Sequence, residues 1–403
     1  MKKYRAVQAL AAVVPLAALA LGAPAASASP SRGFSHRFLH ACAAPAPGHA
    51  ACGAILNELV GPDGKPVKTT TVSGYGPANL QAAYNLPSST AGSGQTVAIV
   101  DAYSDPSAAS DLSTYRSHFG LPTCSYGASA TSCLRIVNQN GGTSLPRSNG
   151  GWAQEESLDL DMVSAVCPNC HIILVEASSS ALTNLGAAVN EAAKLGATEI
   201  SNSYGGSESS SDTKYDTTYY DHPGIAVTAS TGDSGYGVEY PAASPYVTAA
   251  GGTTLNDSNG TYSETAWSGA GSGCSAYDPQ PSWQSSVSNI SSVCGNRAVA
   301  DVSADANPNT GVAVYDSTRY QGLSGWLVFG GTSVASPVIA STYALAGGEP
   351  AGYSGAAYAY ANASHLHDVT SGSTGSCGTD LCNAGTGWDG PTGLGSPNGT
   401  GAF

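Results

Sequence analysis

From Thr96 to Leu255 the sequence alternates two kinds of apolar segment, and this alternation limits the fold more than any other feature. The stretches "TVAIVDAY" (96–103), "HIILVEA" (171–177), "GIAVTAS" (224–230) and "YVTAAGGTTL" (246–255) are continuous runs rich in β-branched residues, with "ATEISNSYGG" (197–206) as a more polar strand segment. Between them, "WAQEESLDLDMVSAV" (152–166) and "LTNLGAAVNEAAKLG" (182–196) have helical spacing. Strands that are apolar at every position are buried on both faces, so the pattern predicts an α/β fold with a mostly parallel sheet and helices on both sides. Ligands on such a sheet bind at the carboxyl ends of its strands.

Three loops fall at those ends. Asp101 closes the first strand. Asp233 sits in the Gly-bounded turn "STGDSG", and Ser333 stands where "WLVFGGTS" passes into an Ala-rich helix. A helix N-terminus favours a developing negative charge, and the glycines before Ser333 let another backbone approach closely.

The helix at 152–166 carries four carboxylates in seven positions, Glu155 to Asp161. At about 100° per residue, Glu155 and Asp159 share a stripe with Trp152, Met162 and Val166. Asp161 falls on the opposite side with Ser157 and Ser164, and Glu156 lies between. An isolated carboxylate is costly to bury, so two on an apolar face must share a proton, meet a cation or do chemistry.

The chain begins "MKKYR", continues into an Ala-rich apolar run and reaches "ASA" at Ala26 to Ala28, the three parts of a secretory signal. A membrane anchor is the rival reading; Pro15 and the Ala-rich composition weaken it, and no other run is long enough to span a bilayer. A secreted, extracellular protein cleaved near Ala28 is expected, with no membrane association afterwards. Ten cysteines in five neighbouring pairs suit that compartment. "CPNC" at 167–170 reads as a structural disulfide ahead of a zinc or redox motif, because no second ligand pair completes a metal shell. A formal charge of -14 argues against nucleic acid or an anionic membrane as partner. Residues 29–74, rich in Pro, Ala and Gly, read as a short, loosely ordered leader before a domain over 75–403.

A nucleophilic serine needs a base, an orienting group and an oxyanion site. None of the eight histidines lies in a helix-opening context suited to a base. The carboxylate helix stands in that place, which points to Glu155 as base and Asp159 as its partner. The ordered set "EESLD", "STGDSG" and "GGTSVASP" resembles the sedolisin family of serine-carboxyl peptidases, which have a subtilisin-like fold. Further likeness in "DVSADANPNTGVAVY" and near the C-terminus extends the resemblance over roughly residues 75–400.

The resemblance implies a Ser333-Glu155-Asp159 triad, a protonated Asp233 as oxyanion donor, and hydrolysis of protein or peptide substrates in acid by a monomer. It also implies one structural Ca2+ held at Asp368, Val369, Gly385, Gly387 and Asp389, with a plain Gly-rich turn as the alternative. Two other functions compete: a secreted binding or structural protein that keeps the fold without catalysis, and a His-dependent subtilisin-like protease. Asp101 reads as a strand-end cap or as a third member of the carboxyl cluster. Tyr204 to Gly206 reads as a plain strand end or as an edge that pairs with substrate backbone. The family usually has a large folded prodomain, for which the segment between signal and "YGPANL" is too short.

Overall fold

A computed structural model describes residue 1, residues 33–67 and residues 71–403. Apart from Met1, the expected signal segment over 1–28 lies outside the described residues. The central sheet has eight strands, and along its main path Thr261–Ala266, Thr248–Ser258, Ala226–Ser230, Glu199–Asn202, Thr96–Ala102, His171–Ala177 and Leu134–Asn138 lie side by side. The eighth, Val302–Asp305, pairs in parallel with Thr248–Ser258. Every pairing along this path is parallel except that of Thr261–Ala266. Thr96–Ala102 and His171–Ala177 are buried from their second residue onward, as continuous apolar strands covered on both faces must be.

The predicted strand 197–206 divides in two. Glu199–Asn202 joins the central sheet, whereas Tyr204–Ser207 leaves it after Ser203 and pairs with Ala51–Cys52 and Glu239–Tyr240. Three expected helices, Gly150–Val166, Leu182–Lys194 and Thr332–Ala346, and a further one, Ala108–His118, cover the sheet.

Gly150–Val166 departs from the amphipathic expectation. Every residue after Gly150 is buried, because the helix is enclosed by the helices Pro77–Ala83, Ala108–His118 and Thr332–Ala346 and the strand Val312–Tyr320. The carboxylates off the Glu155 stripe therefore face protein, and each accepts a backbone N–H. Glu156 Oε2 takes that of Asp105 at 2.9 Å, and Asp161 Oδ2 that of Tyr315 at 2.9 Å. Asn149 caps the helix by accepting from Gly151 and Trp152 N–H at 3.0 and 3.2 Å.

The segment read as a loosely ordered leader is built into the fold over its described residues. Ser35–His40 and Ile55–Val60 form an antiparallel pair, and Ile55–Val60 continues onto Leu323–Gly330 and then Val312–Tyr320. Alternate residues of "ILNELV" are buried, a strand pattern that its Pro- and Gly-rich surroundings mask in the sequence. All five neighbouring cysteine pairs are disulfides, Cys167–Cys170 of "CPNC" included, and no cysteine is free. No helix among the described residues is long and apolar enough to cross a membrane.

Candidate active site

Ser333 is the second residue of Thr332–Ala346, behind Gly331 at φ 102°. This left-handed backbone suits glycine, and a Cβ there would collide with the Gly53 carbonyl oxygen. Ser333 Oγ donates to the Ser203 carbonyl at 3.2 Å and accepts from Gly53 N–H at 3.1 Å. The hydroxyl is also near enough to Glu155 to pull the pKa of that carboxyl down against the effect of burial. No histidine is among these partners.

Glu155 and Asp159, one turn apart on the enclosed helix, are both fully buried. Glu155 Oε2 accepts from Ala54 N–H at 2.8 Å, and Asp159 Oδ1 accepts from the Ser203 hydroxyl at 2.8 Å. Their second oxygens, Glu155 Oε1 and Asp159 Oδ2, have no hydrogen-bond partner. Burial pushes the pKa of both carboxyls well above the carboxylate range. The charge of Asp101 adds to this in each case, and Glu155 raises Asp159 further. Ser203, placed at the break between two strands, links Asp159 to the serine helix through its hydroxyl, which lies 3.3 Å from the Ser333 carbonyl. Its type and spacing gave no signal in the sequence.

Asp101 belongs to the same cluster and is not a cap. Both its oxygens are buried without a hydrogen-bond partner, and burial raises its pKa to about 8. Such a group is retained as the neutral acid over most of the acid range.

Asp233 approaches from the other side of Ser333. Its Oδ1 accepts from Thr332 N–H at 2.6 Å and from the Thr332 hydroxyl at 3.1 Å. That leaves Oδ2 toward Gly53, where a Cβ added to Gly53 would lie 2.5 Å from it. Burial raises its pKa to about 7, against the pull of the Thr332 N–H and with a further push from Glu239. Glu239, itself raised to about 7 by burial, lines a cavity of about 430 Å³ with Asp233, Gly205, Gly232 and residues 51–53. Ser333, the Glu155–Asp159 pair and Asp233, each singled out by a separate motif, thus lie together.

The C-terminal residues also come together. Asp389 accepts from Gly385 N–H at 3.0 Å and from Thr392, and Asp368 accepts from Gly387 N–H at 2.9 Å. Burial raises Asp389 to about 7, and Asp368 is close enough to raise it further. The Thr392 hydroxyl donates to Asp389 Oδ1 at 2.9 Å and lies 3.5 Å from the Val369 carbonyl oxygen, so two carboxylates and this carbonyl lie in one region and are hard-oxygen donors of the kind calcium takes. A separate group, Asp105, Asp111 and Asp316, brings three carboxylate oxygens within 4.8 Å of one another. Ser107, Ser317 and Thr318 donate to these carboxylates.

The Subtilase family model matches residues 138–360. The chain is 30% identical over 375 residues to sedolisin of Pseudomonas sp. (strain 101), an alignment covering 82% of this chain and 61% of that protein. It is 31% identical over 364 residues to kumamolisin of Bacillus sp. (strain MN-32), covering 81% and 62%. The chain therefore spans about three fifths of the length of these curated relatives. Among solved structures, Pseudomonas sedolisin complexed with pseudo-iodotyrostatin superposes with a TM-score of 0.67 at 29% identity, over 81% of this chain and 96% of that one. Sphericase, at 19% identity and a TM-score of 0.50, shares the fold. With a family model over more than half its length and these relatives over four fifths of it, the chain belongs to the subtilase family, within its sedolisin or serine-carboxyl peptidase branch.

Proposed function

We propose that the chain is a secreted serine-carboxyl endopeptidase that hydrolyses protein or peptide substrates in acid, as a monomer. The observation that carries this reading is the placement of Ser333 between the buried Glu155–Asp159 pair and Asp233, with burial holding all three carboxyls toward their neutral forms. Ser333 Oγ attacks the substrate carbonyl while Glu155 takes its proton and then passes it to the leaving nitrogen. Asp159 orients Glu155 by sharing a proton with it, for which Glu155 Oε1 and Asp159 Oδ2, both without a hydrogen-bond partner in the resting structure, are free. Asp233 keeps its proton and donates it as a hydrogen bond to the tetrahedral oxyanion; ionised, it would repel that charge.

Asp368 and Asp389, with the carbonyls of Val369, Gly385 and Gly387, would hold one calcium ion. The ion's contribution there is structural: it neutralises the buried Asp389 and the exposed Asp368, whose charges otherwise repel.

The test is hydrolysis of denatured casein between pH 3 and 8 by protein first incubated at pH 4. Activity should peak in acid and vanish in Ser333→Ala while the melting temperature holds. Activity that survives in Ser333→Ala, or peaks at neutral pH, overturns the reading. A folded protein that hydrolyses nothing under any of these conditions favours the non-catalytic binding protein instead.

A further inference from the structure

Three aspartates outside the catalytic set and the C-terminal loop converge from three separate elements. Asp105 lies in the turn after the strand Thr96–Ala102, Asp111 in the first turn of the helix Ala108–His118, and Asp316 in the strand Val312–Tyr320. One carboxylate oxygen of each falls within 4.8 Å of the other two, and all three residues are buried, Asp316 completely.

Hydrogen-bond donors fix two of the carboxylates and favour their charged form. Asp105 Oδ1 accepts from Ser107 N–H and from the Thr318 hydroxyl, both at 2.9 Å, and Asp111 Oδ2 accepts from Ser317 N–H at 2.7 Å and the Ser317 hydroxyl at 3.0 Å. Asp316 differs. Its Oδ1 accepts from Thr318 N–H at 2.7 Å, whereas Oδ2 is shut from solvent and has no hydrogen-bond partner. Burial raises the Asp316 pKa to about 7 against the pull of Thr318 N–H, and the charges of Asp105 and Asp111 push it further. A buried carboxylate oxygen beside two more anions needs positive charge. No side chain supplies it. None of the four ion pairs among the described residues involves these aspartates, and the exposed Arg319 is in none of them either. Arg116, on the same helix as Asp111, is spent on Ser164 and on the carbonyls of Pro122 and Pro168.

A hard divalent cation matches this donor set. Carboxylates offer only oxygen, the ligand atom calcium takes, and three of them neutralise its charge in full. The Thr318 hydroxyl adds a further oxygen beside Asp105, and Ser317, exposed above Asp111, marks the side from which an ion and its remaining waters enter.

We propose that Asp105, Asp111 and Asp316 form a second calcium site, which ties the helix Ala108–His118 and the strand Val312–Tyr320 to the turn after Thr96–Ala102. Both tied elements pack on the acidic helix Gly150–Val166, and Asp105 N–H donates to Glu156 of that helix. The ion therefore braces the enclosure that keeps Glu155 and Asp159 dry.

Bound calcium is counted by elemental analysis of the whole protein after equilibrium dialysis against the metal at pH 7.5, where carboxylate ligands are deprotonated. Asp389→Ala, which removes a carboxylate of the C-terminal loop, should still hold about one ion per chain, and adding Asp316→Asn should leave none. Asn has the same shape, and its amide oxygen still accepts from Thr318 N–H, so this change spares the fold; Asp111→Asn is an independent second removal. In the wild-type background Asp316→Asn should lower the count by about one. Calcium should raise the melting temperature of Asp389→Ala and leave that of the double variant unmoved. An Asp389→Ala protein that folds and binds no calcium, or equal binding with and without Asp316→Asn and Asp111→Asn, overturns the site and leaves three carboxyls that share protons instead. A wild type whose only ion is lost in Asp316→Asn upholds this site and removes the C-terminal one.

Discussion

Asp233 is the residue whose proposed role depends most sharply on a proton, so its replacement separates mechanisms. With a pKa raised to about 7, the neutral fraction of Asp233 falls from about 99% at pH 5 to about 9% at pH 8. If only the neutral form donates to the oxyanion, kcat should drop by about tenfold over that range. The acid limb has a different origin, because Glu155 must ionise to accept the Ser333 proton. Asp233→Asn keeps an acceptor for Thr332 N–H and offers an amide donor that does not titrate, so it should retain measurable activity and flatten the decline toward pH 8. Asp233→Ala removes the donor at every pH and should cost about 3 kcal/mol of transition-state stabilisation, roughly a hundredfold in kcat, with KM little changed. The assay is kcat and KM on a fluorogenic peptide from pH 3 to 8 for all three forms. A wild-type kcat that is flat from pH 5 to 8, or an Asp233→Ala variant that matches it, would show that no protonated Asp233 is needed.

Three further outcomes follow from the buried carboxyls and the C-terminal loop. Glu156→Gln and Asp161→Asn should leave kcat within about threefold, because the amide oxygens still accept from Asp105 and Tyr315 N–H; a loss as large as that of Glu155→Gln would show that the helix face is misassigned. Chelation should lower the melting temperature, and Asp389→Ala should weaken that effect; a chelator-insensitive wild type would return the loop to a plain turn. Stability should fall as pH rises. Carboxyls such as Asp101 and Glu199, raised to about 8, bind more protons folded than unfolded, so their contribution is full below pH 4 and is lost toward pH 8 at about 1.4 kcal/mol per pH unit for each such group. Denaturant midpoints that increase between pH 4 and 8 would contradict this.

The sheet and its helices are legible in the sequence because strands buried on both faces leave unbroken apolar runs, and "TVAIVDAY" and "HIILVEA" are such runs. The site is legible for a related reason. Glu155, Asp159, Asp233 and Ser333 each violate the local rule of their setting, either as a charge on an apolar face or as a polar residue in a Gly-rich turn. What stayed hidden has no local signature. Ser203 matters only because two strands part there, and a serine at a strand end looks like any other. Asp101 looks like a cap until burial leaves both its oxygens without a partner. The segment around Gly53 was obscured by its composition, since a two-residue strand held by long-range pairing leaves no periodicity to read. The apparent polar side of the acidic helix misleads because backbone N–H groups of distant elements, unseen in a helical wheel, satisfy Glu156 and Asp161.

The central claim is that Ser333 becomes covalently acylated with Glu155 as its base. Acid quenching followed by mass spectrometry of protein caught with a slowly deacylating peptide ester at pH 4 tests this directly. The account predicts an acyl adduct on the tryptic or peptic fragment that contains Ser333, absent in Ser333→Ala and greatly slowed in Glu155→Gln. An adduct on another residue, or one that forms as fast in Glu155→Gln as in wild type, would contradict it.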